Sequence, residues 1–134
     1  MTPKTENSPL LPESKKIAVT DLLLDPNNPR LGEYGIKPDA AQADLLKVLW
    51  EKMAVEELAM SIAYNGYFQH EPLLVEKNSK GELIVIEGNR RLAAVKLLLS
   101  EVARRSLRAT DLPKMLGQQN LWVNSSGSGS LPNV

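Results

Sequence analysis

The chain has 134 residues, 16 Lys+Arg against 16 Asp+Glu, and so a formal net charge of +0. That balance excludes a strongly basic nucleic-acid clamp and leaves room only for a local basic patch. The sequence contains no cysteine, which excludes disulfides, thiolate metal sites and thiol catalysis.

Residues 1–14 are rich in Pro, Ser, Thr, Asn and Glu and read as a flexible tail. They lack the apolar core of a signal peptide. No apolar run approaches the roughly 18 residues of a membrane span. The expected setting is therefore soluble and cytoplasmic. From Lys15, KKIAVTDLLL alternates weakly and then turns apolar, which predicts a first strand. DPNNPR at 25–30 stops it, with two prolines and two asparagines in six residues. LGEYGIKPDA continues as loop.

Residues 41–65 carry a helical pattern. Leu45, Leu46, Leu49, Trp50 and Met53 recur at spacings of three and four. Leu58, Ala59, Ile62 and Ala63 continue it after a break near Ala54. Asn65-Gly66 ends the run, with Gly66 placed as a C-terminal cap. PLLVEK then predicts a strand, NSKG a hairpin turn and ELIVIE its partner strand, closed by Gly88. A second helix is expected from about Arg90 to Arg104. Leu92, Val95, Leu98, Leu99 and Val102 form its apolar stripe, with Lys96, Glu101, Arg104 and Arg105 mostly off it. QNLWV reads as a short strand or a helix end, and NSSGSGSLPN as a loop or linker. The order of elements predicts an α+β fold, a small mixed sheet with packed helices.

Within this pattern IVIEGNRRLAAVKLLL is unusual. It places Arg90 and Arg91 at the start of a helix, the end that carries partial positive charge. Asn89 is a favoured N-cap residue, and Gly88 allows a sharp turn and a close approach by a ligand. A helix mouth at the end of a strand binds anions readily, phosphate above all. Arginine meets phosphate oxygens with a planar fork of donors. The pair therefore reads as a polyphosphate site. The alternative is that Glu87 pairs with Arg90 or Arg91 at the surface, a common and weak arrangement. Neither GxxxxGK[ST] nor GxGxxG occurs, so this is no standard phosphate loop.

ELAMSIAYNGYFQHEPLLV, then a hairpin, then VIEGNRRLAAVKLL resembles the N-terminal domain of the ParB/sulfiredoxin superfamily. Ser61, Ile62, Gly66 and Pro72 match its SIxxxG motif and following proline. Gly88, Arg90, Arg91 and Ala94 match its GERRxRA box. The first strand with DPNNPR is similar to the family's first strand and NPR-type turn. The resemblance covers about residues 15–112, leaving 1–14 as a tail and 113–134 as an extension or linker. It implies a nucleotide pocket that takes CTP with Mg2+ in ParB and ATP in sulfiredoxin. Carried over, Gly88, Asn89, Arg90 and Arg91 would contact phosphates, with Arg30 as a third arginine contact. Gly66, Tyr67, Phe68, Gln69 and Pro72 would line the base and sugar side, and Ser61 would support that loop. Two positions depart from the pattern. Asn89 stands where the family has Glu, and Ala93 stands where it has a further Arg. Glu87 is then the carboxylate left to serve Mg2+ or catalysis. The sulfiredoxin reaction itself is excluded, because it needs a cysteine.

Other residues have simpler readings. His70, the one histidine, cannot build a multi-histidine metal site. It reads as a loop residue or as a general base beside the pocket. Trp50 lies on the helical stripe and is expected in the core. Arg104, Arg105, Arg108 and Lys114 form a basic cluster near a helix end, suited to the dipole or to a DNA backbone. The expected partners are a nucleotide, DNA and a second copy of the chain in a homodimer, with no membrane. The functional expectation is a nucleotide-binding domain, CTP or ATP, acting as an NTPase switch in a DNA-associated protein. A ParB-like metal-dependent nuclease and a degenerate domain used for protein interaction or dimerisation stand as alternatives.

Overall fold

The computed structural model describes residues 14–66, 72–109, 111–113 and 119–125. The expected first strand is in fact two short strands, β1 (Lys15–Ala18) and β2 (Leu22–Leu24), separated by a 3-10 turn at Val19–Asp21. They occupy opposite edges of one five-stranded sheet, ordered β1-β5-β3-β4-β2. Here β3 is Leu73–Lys77, β4 is Leu83–Glu87 and β5 is Asn120–Ser125. β3 and β4 form the antiparallel hairpin that the NSKG turn predicts, β1 pairs antiparallel with β5, and β2–β4 and β3–β5 are parallel. QNLWV thus contributes a strand, not a helix end.

This order forces the sheet to curl. A flat five-stranded sheet separates its edge strands by about 19 Å. The backbone from Ala18 to Leu22 reaches at most about 14 Å. The two edges must therefore bend toward each other, and the helices pack within the curve.

DPNNPR closes β2 and opens a single helical turn, α1 (Pro29–Gly32), inside the stretch expected as loop. Asn28 caps it by accepting from the Arg30 N–H at 2.9 Å, and Pro29 follows at the first helical position. The predicted 41–65 helix is broken as expected, into α2 (Gln42–Lys52) and α3 (Val55–Asn65). Ala54 sits between them in the left-handed region, at φ 56 and ψ 38. Gly66 ends α3 as its C-cap, with its N–H donating to Ile62 O at 2.8 Å.

The last predicted helix is also two. α4 (Asn89–Leu99) and α5 (Glu101–Ser106) meet at Ser100, whose backbone is extended. Ser100 caps α5 by accepting from the Ala103 N–H at 3.1 Å. This break shifts the helical phase and overturns two expectations beyond it. Val102, placed on the apolar stripe, is 79% exposed. Arg104, placed off it, is only 8% exposed and reaches back to cap α4, donating to Leu97 O at 2.7 Å and Leu98 O at 2.8 Å. A cation there satisfies carbonyls at the negative end of the helix.

α4 is the central element. Leu92, Ala93, Ala94, Val95, Leu97 and Leu98 are all buried, so most of its circumference is covered. The core around it includes Leu22, Leu24, Leu31, Leu45, Leu49, Val55, Leu73, Val75 and Leu121. Trp50 is half-buried against that cluster. Among the described residues no helix is long and apolar enough to cross a membrane.

Lys96 is half-buried on α4 and donates to Val19 O, at 3.2 Å, in the turn between the sheet edges. Burial lowers its pKa from the ordinary 10.5. Between the lowered value and 10.5 the unfolded chain holds that proton more tightly than the folded one, so stability rises with pH across the window. Measured by urea unfolding, the difference in stability between the native chain and Lys96→Met should therefore grow in favour of the native chain as pH climbs toward 10.5. Arg104→Met leaves carbonyls of α4 without their partner and should cost about 2–4 kcal/mol in the same assay.

Candidate functional site

β4, the turn after it and the first turn of α4 build one wall of a cavity of about 560 Å³. Its lining includes Asn28, Arg30, Met53, Leu58, Ile86, Glu87, Gly88, Asn89, Arg90 and Arg91. The register between β3 and β4 shifts just before the turn. Leu74 faces Glu87 and Val75 faces Val85, which leaves Ile86 as an extra residue on β4. A bulge of this kind bends the strand and re-aims its last side chains, here beside the cavity.

Gly88 is required at the corner. Its φ is 107, a region that side chains rarely adopt, and a Cβ there would lie 2.4 Å from Leu73 Cδ2. It is also the N-cap of α4, the place expected for Asn89. Asn89 instead occupies the first helical position and turns inward, 4% exposed. Its Nδ2 donates to Val85 O at 2.8 Å, and its Oδ1 accepts from the Asp25 N–H at 3.0 Å. The Asn89 side chain is therefore held by backbone. A phosphate at this helix mouth would meet its main-chain N–H. The first intrahelical bond runs from the Leu92 N–H to Gly88 O at 2.9 Å, so the turn before it can offer main-chain donors to a ligand.

The two arginines differ in role. Arg90 donates from Nε to Met53 O at 2.6 Å and from Nη2 to Ala54 O at 3.1 Å. Met53 is the C-cap of α2, so the guanidinium sits at the negative end of one helix and the positive end of another. It also braces the left-handed Ala54, a backbone state that costs about 1–2 kcal/mol outside glycine. Arg90 thus turns to these carbonyls in place of Glu87. Arg91 lines the cavity, and its Nη2 lies 3.2 Å from where a Gly88 Cβ would stand.

Of the residues singled out in the sequence, Arg30, Glu87, Gly88, Asn89, Arg90 and Arg91 come together here. Arg30 arrives from α1, across from the α4 mouth in sequence but beside it in space. Ser61 is exposed on α3, Gly66 ends that helix and Pro72 precedes β3; they are not among the residues that line the cavity. Tyr67, Phe68, Gln69 and His70 lie outside the described residues. Asn28, Met53, Leu58 and Ile86 line the cavity and were not expected there. The proline after Asn28 marks it as a helix cap, and the break near Ala54 marks Met53 as a helix end. Leu58 and Ile86 carried no signal beyond core packing.

A family model described as the ParB N-terminal domain matches residues 36–119. The chain belongs to this family. This ParB N-terminal domain also has a structural similarity to the C-terminally truncated chromosome-partitioning protein ParB from Caulobacter crescentus, solved in complex with CTP-gamma-S. The identity is 16% and the TM-score 0.42, with 90% of this chain and 46% of that chain covered. No curated protein matches the chain. In this ParB N-terminal domain the GERRxRA pattern is altered at two positions that both point inward. Ala93 is fully buried, where an arginine would need a partner for its charge. A glutamate at position 89 could not supply the donor that Val85 O receives. Among the described residues no group of three or more His, Asp or Glu is placed to hold a metal ion.

Gly88→Ala should lower stability by about 2–4 kcal/mol, because it combines a disfavoured φ with a collision against a buried leucine. Urea unfolding measures this directly, and a loss under about 0.5 kcal/mol, the range of an ordinary surface change, would contradict the geometry.

Proposed function

We propose that this domain binds a nucleoside triphosphate, CTP or ATP, with its phosphates at the mouth of α4. The observation that carries this reading is the convergence of Arg30, Arg90 and Arg91 on one cavity at a helix N-terminus, against Glu87 as the acidic residue among the described lining. Such a mouth favours anions through both its main-chain donors and its dipole. Gly88 turns the corner without a side chain, which lets the Arg91 guanidinium lie close against it, Nη2 3.2 Å from where a Cβ would stand. The cavity, about 560 Å³, falls within the range of small-molecule sites. Met53, Leu58 and Ile86 give it an apolar side as well.

Mg2+ would be held by phosphate oxygens and by Glu87, because this ion binds through one or two carboxylates and keeps several waters. It would offset charge on the phosphates. The reading is one of binding; no side chain of the lining is assigned as a base for hydrolysis. A DNA-associated role rests on family membership alone.

Titrating CTP, ATP and GTP, with and without Mg2+, tests the proposal. CTP or ATP should bind saturably, and Arg91→Ala or Arg30→Ala should weaken binding about tenfold or more, the scale of a lost charge-assisted contact. Rising salt should weaken it further. A folded chain that binds none of the three nucleotides would overturn the reading. Arg90→Ala is the less informative variant, because Arg90 also braces the α2–α3 joint.

A further inference from the structure

We infer that Asn89 is a positioning residue of this cavity, one that sets the Asp25–Arg30 turn and through it the place of Arg30. Its consequence for binding rests on the nucleotide reading above. The amide is nearly sealed from solvent and its orientation is dictated by its partners. Val85 O can only accept and the Asp25 N–H can only donate, so Nδ2 must face β4 and Oδ1 the end of β2. One side chain thus ties the strand that leads into α4 to the strand that leads into the arginine turn.

From Asp25 the order passes along a continuous set of short contacts. Asp25 Oδ1 accepts from the Asn27 N–H at 2.8 Å, and Asp25 O accepts from the Asn28 N–H at 3.2 Å. Asn28 Oδ1 in turn accepts from the Arg30 N–H at 2.9 Å. Fully buried Leu31 anchors the far side of Arg30. The strand end before Asp25 is held independently by Gln42. Its Oε1 accepts from the Leu24 N–H at 2.8 Å and its Nε2 donates to Leu24 O at 2.9 Å. β2 is an edge strand, and Gln42 takes up backbone groups that no further strand pairs. Asn89 supplies the next contact along, at the point where the chain leaves the sheet. Among the described residues it is the side chain that holds the turn to β4 between Leu24 and Leu31.

A glutamine or asparagine that only filled space would not couple to Arg30. A double-mutant cycle in CTP affinity between Asn89→Ala and Arg30→Ala separates the two cases. Asn89→Ala should weaken CTP binding roughly tenfold, and Arg30→Ala should then add less than about twofold, because the arginine is already misplaced. Arg104→Met, destabilising at the opposite end of α4, should leave CTP affinity within about twofold at a similar loss of Tm. Asn28→Ala, which breaks only the last link, should show the same coupling to Arg30 and serves where Asn89→Ala does not fold. Equal Arg30→Ala losses with and without the Asn89 or Asn28 change would overturn the inference. If the native chain binds no CTP, the nucleotide reading falls and amide exchange decides the remainder. Protection at Asp25 and Arg30 should drop in Asn89→Ala but not in Arg104→Met; unchanged protection in Asn89→Ala would overturn the positioning role itself.

Discussion

The turn at Val19–Asp21 is the constraint on which the architecture depends. It carries the chain from one edge of the sheet to the other in three residues. The sheet has to curl for that connection to close, and the curl creates the concave space that α4 fills. α4 is then covered on most sides by strands and helices, and its N-terminus emerges at the rim beside the ends of β4 and β2. Lys96 ties the same turn to the helix it encloses. The position of the cavity follows from this enclosure, since the sealed sides of α4 leave its ends as the places where a ligand can meet it.

Much of this was legible in the residues. Turn chemistry marked Asn65-Gly66 and the NSKG hairpin, where Gly66 and Gly81 take positive φ, and DPNNPR, where Asn28 caps a helical turn that Pro29 begins. Helical periodicity located α2, α3 and α4. The errors have a common physical origin. KKIAVTDLLL reads as one strand because weak alternation passes into an apolar run with no glycine or proline between, and nothing local says that its halves pair with different neighbours. The final helix reads as one because Ser100 is tolerable within a helix as well as at its start. Its capping role depends on the backbone turning there. Once it turns, the phase of every later residue changes, and Val102 and Arg104 exchange their expected surroundings.

The site was legible as a set of residues more than as a set of roles. Gly88, Arg90 and Arg91 were drawn together by the strand–turn–helix pattern, and Arg30 by the resemblance to the ParB/sulfiredoxin family. What the pattern could not convey was which polar groups would be satisfied by the protein itself. Asn89 is as good a cap in sequence as it is a buried linker in the structure. The choice was decided by the free N–H at the end of β2, a partner 64 positions away in sequence. Arg90 presents the same case. A cation at a helix start looks misplaced until the C-terminal carbonyls of α2 are found against it.

That meeting of two helix ends bears on the chemistry of the cavity. Arg90 stands between the carbonyls of the α2–α3 joint and the mouth of α4, so its charge is shared by two sites of opposite demand. An incoming anion would compete with neutral carbonyl oxygens for the guanidinium, and a phosphate oxygen is the stronger acceptor. Arg30, from α1, and Arg91, next to Arg90 on α4, line the same cavity, so the positive field there does not depend on Arg90 alone. The inward-facing Asn89 fits this division. A carboxylate at its position would set a negative charge against Val85 O and beneath the arginines, and would lower the field at the mouth. With an amide there, the positive helix start and the arginine side chains face no opposing charge at that position.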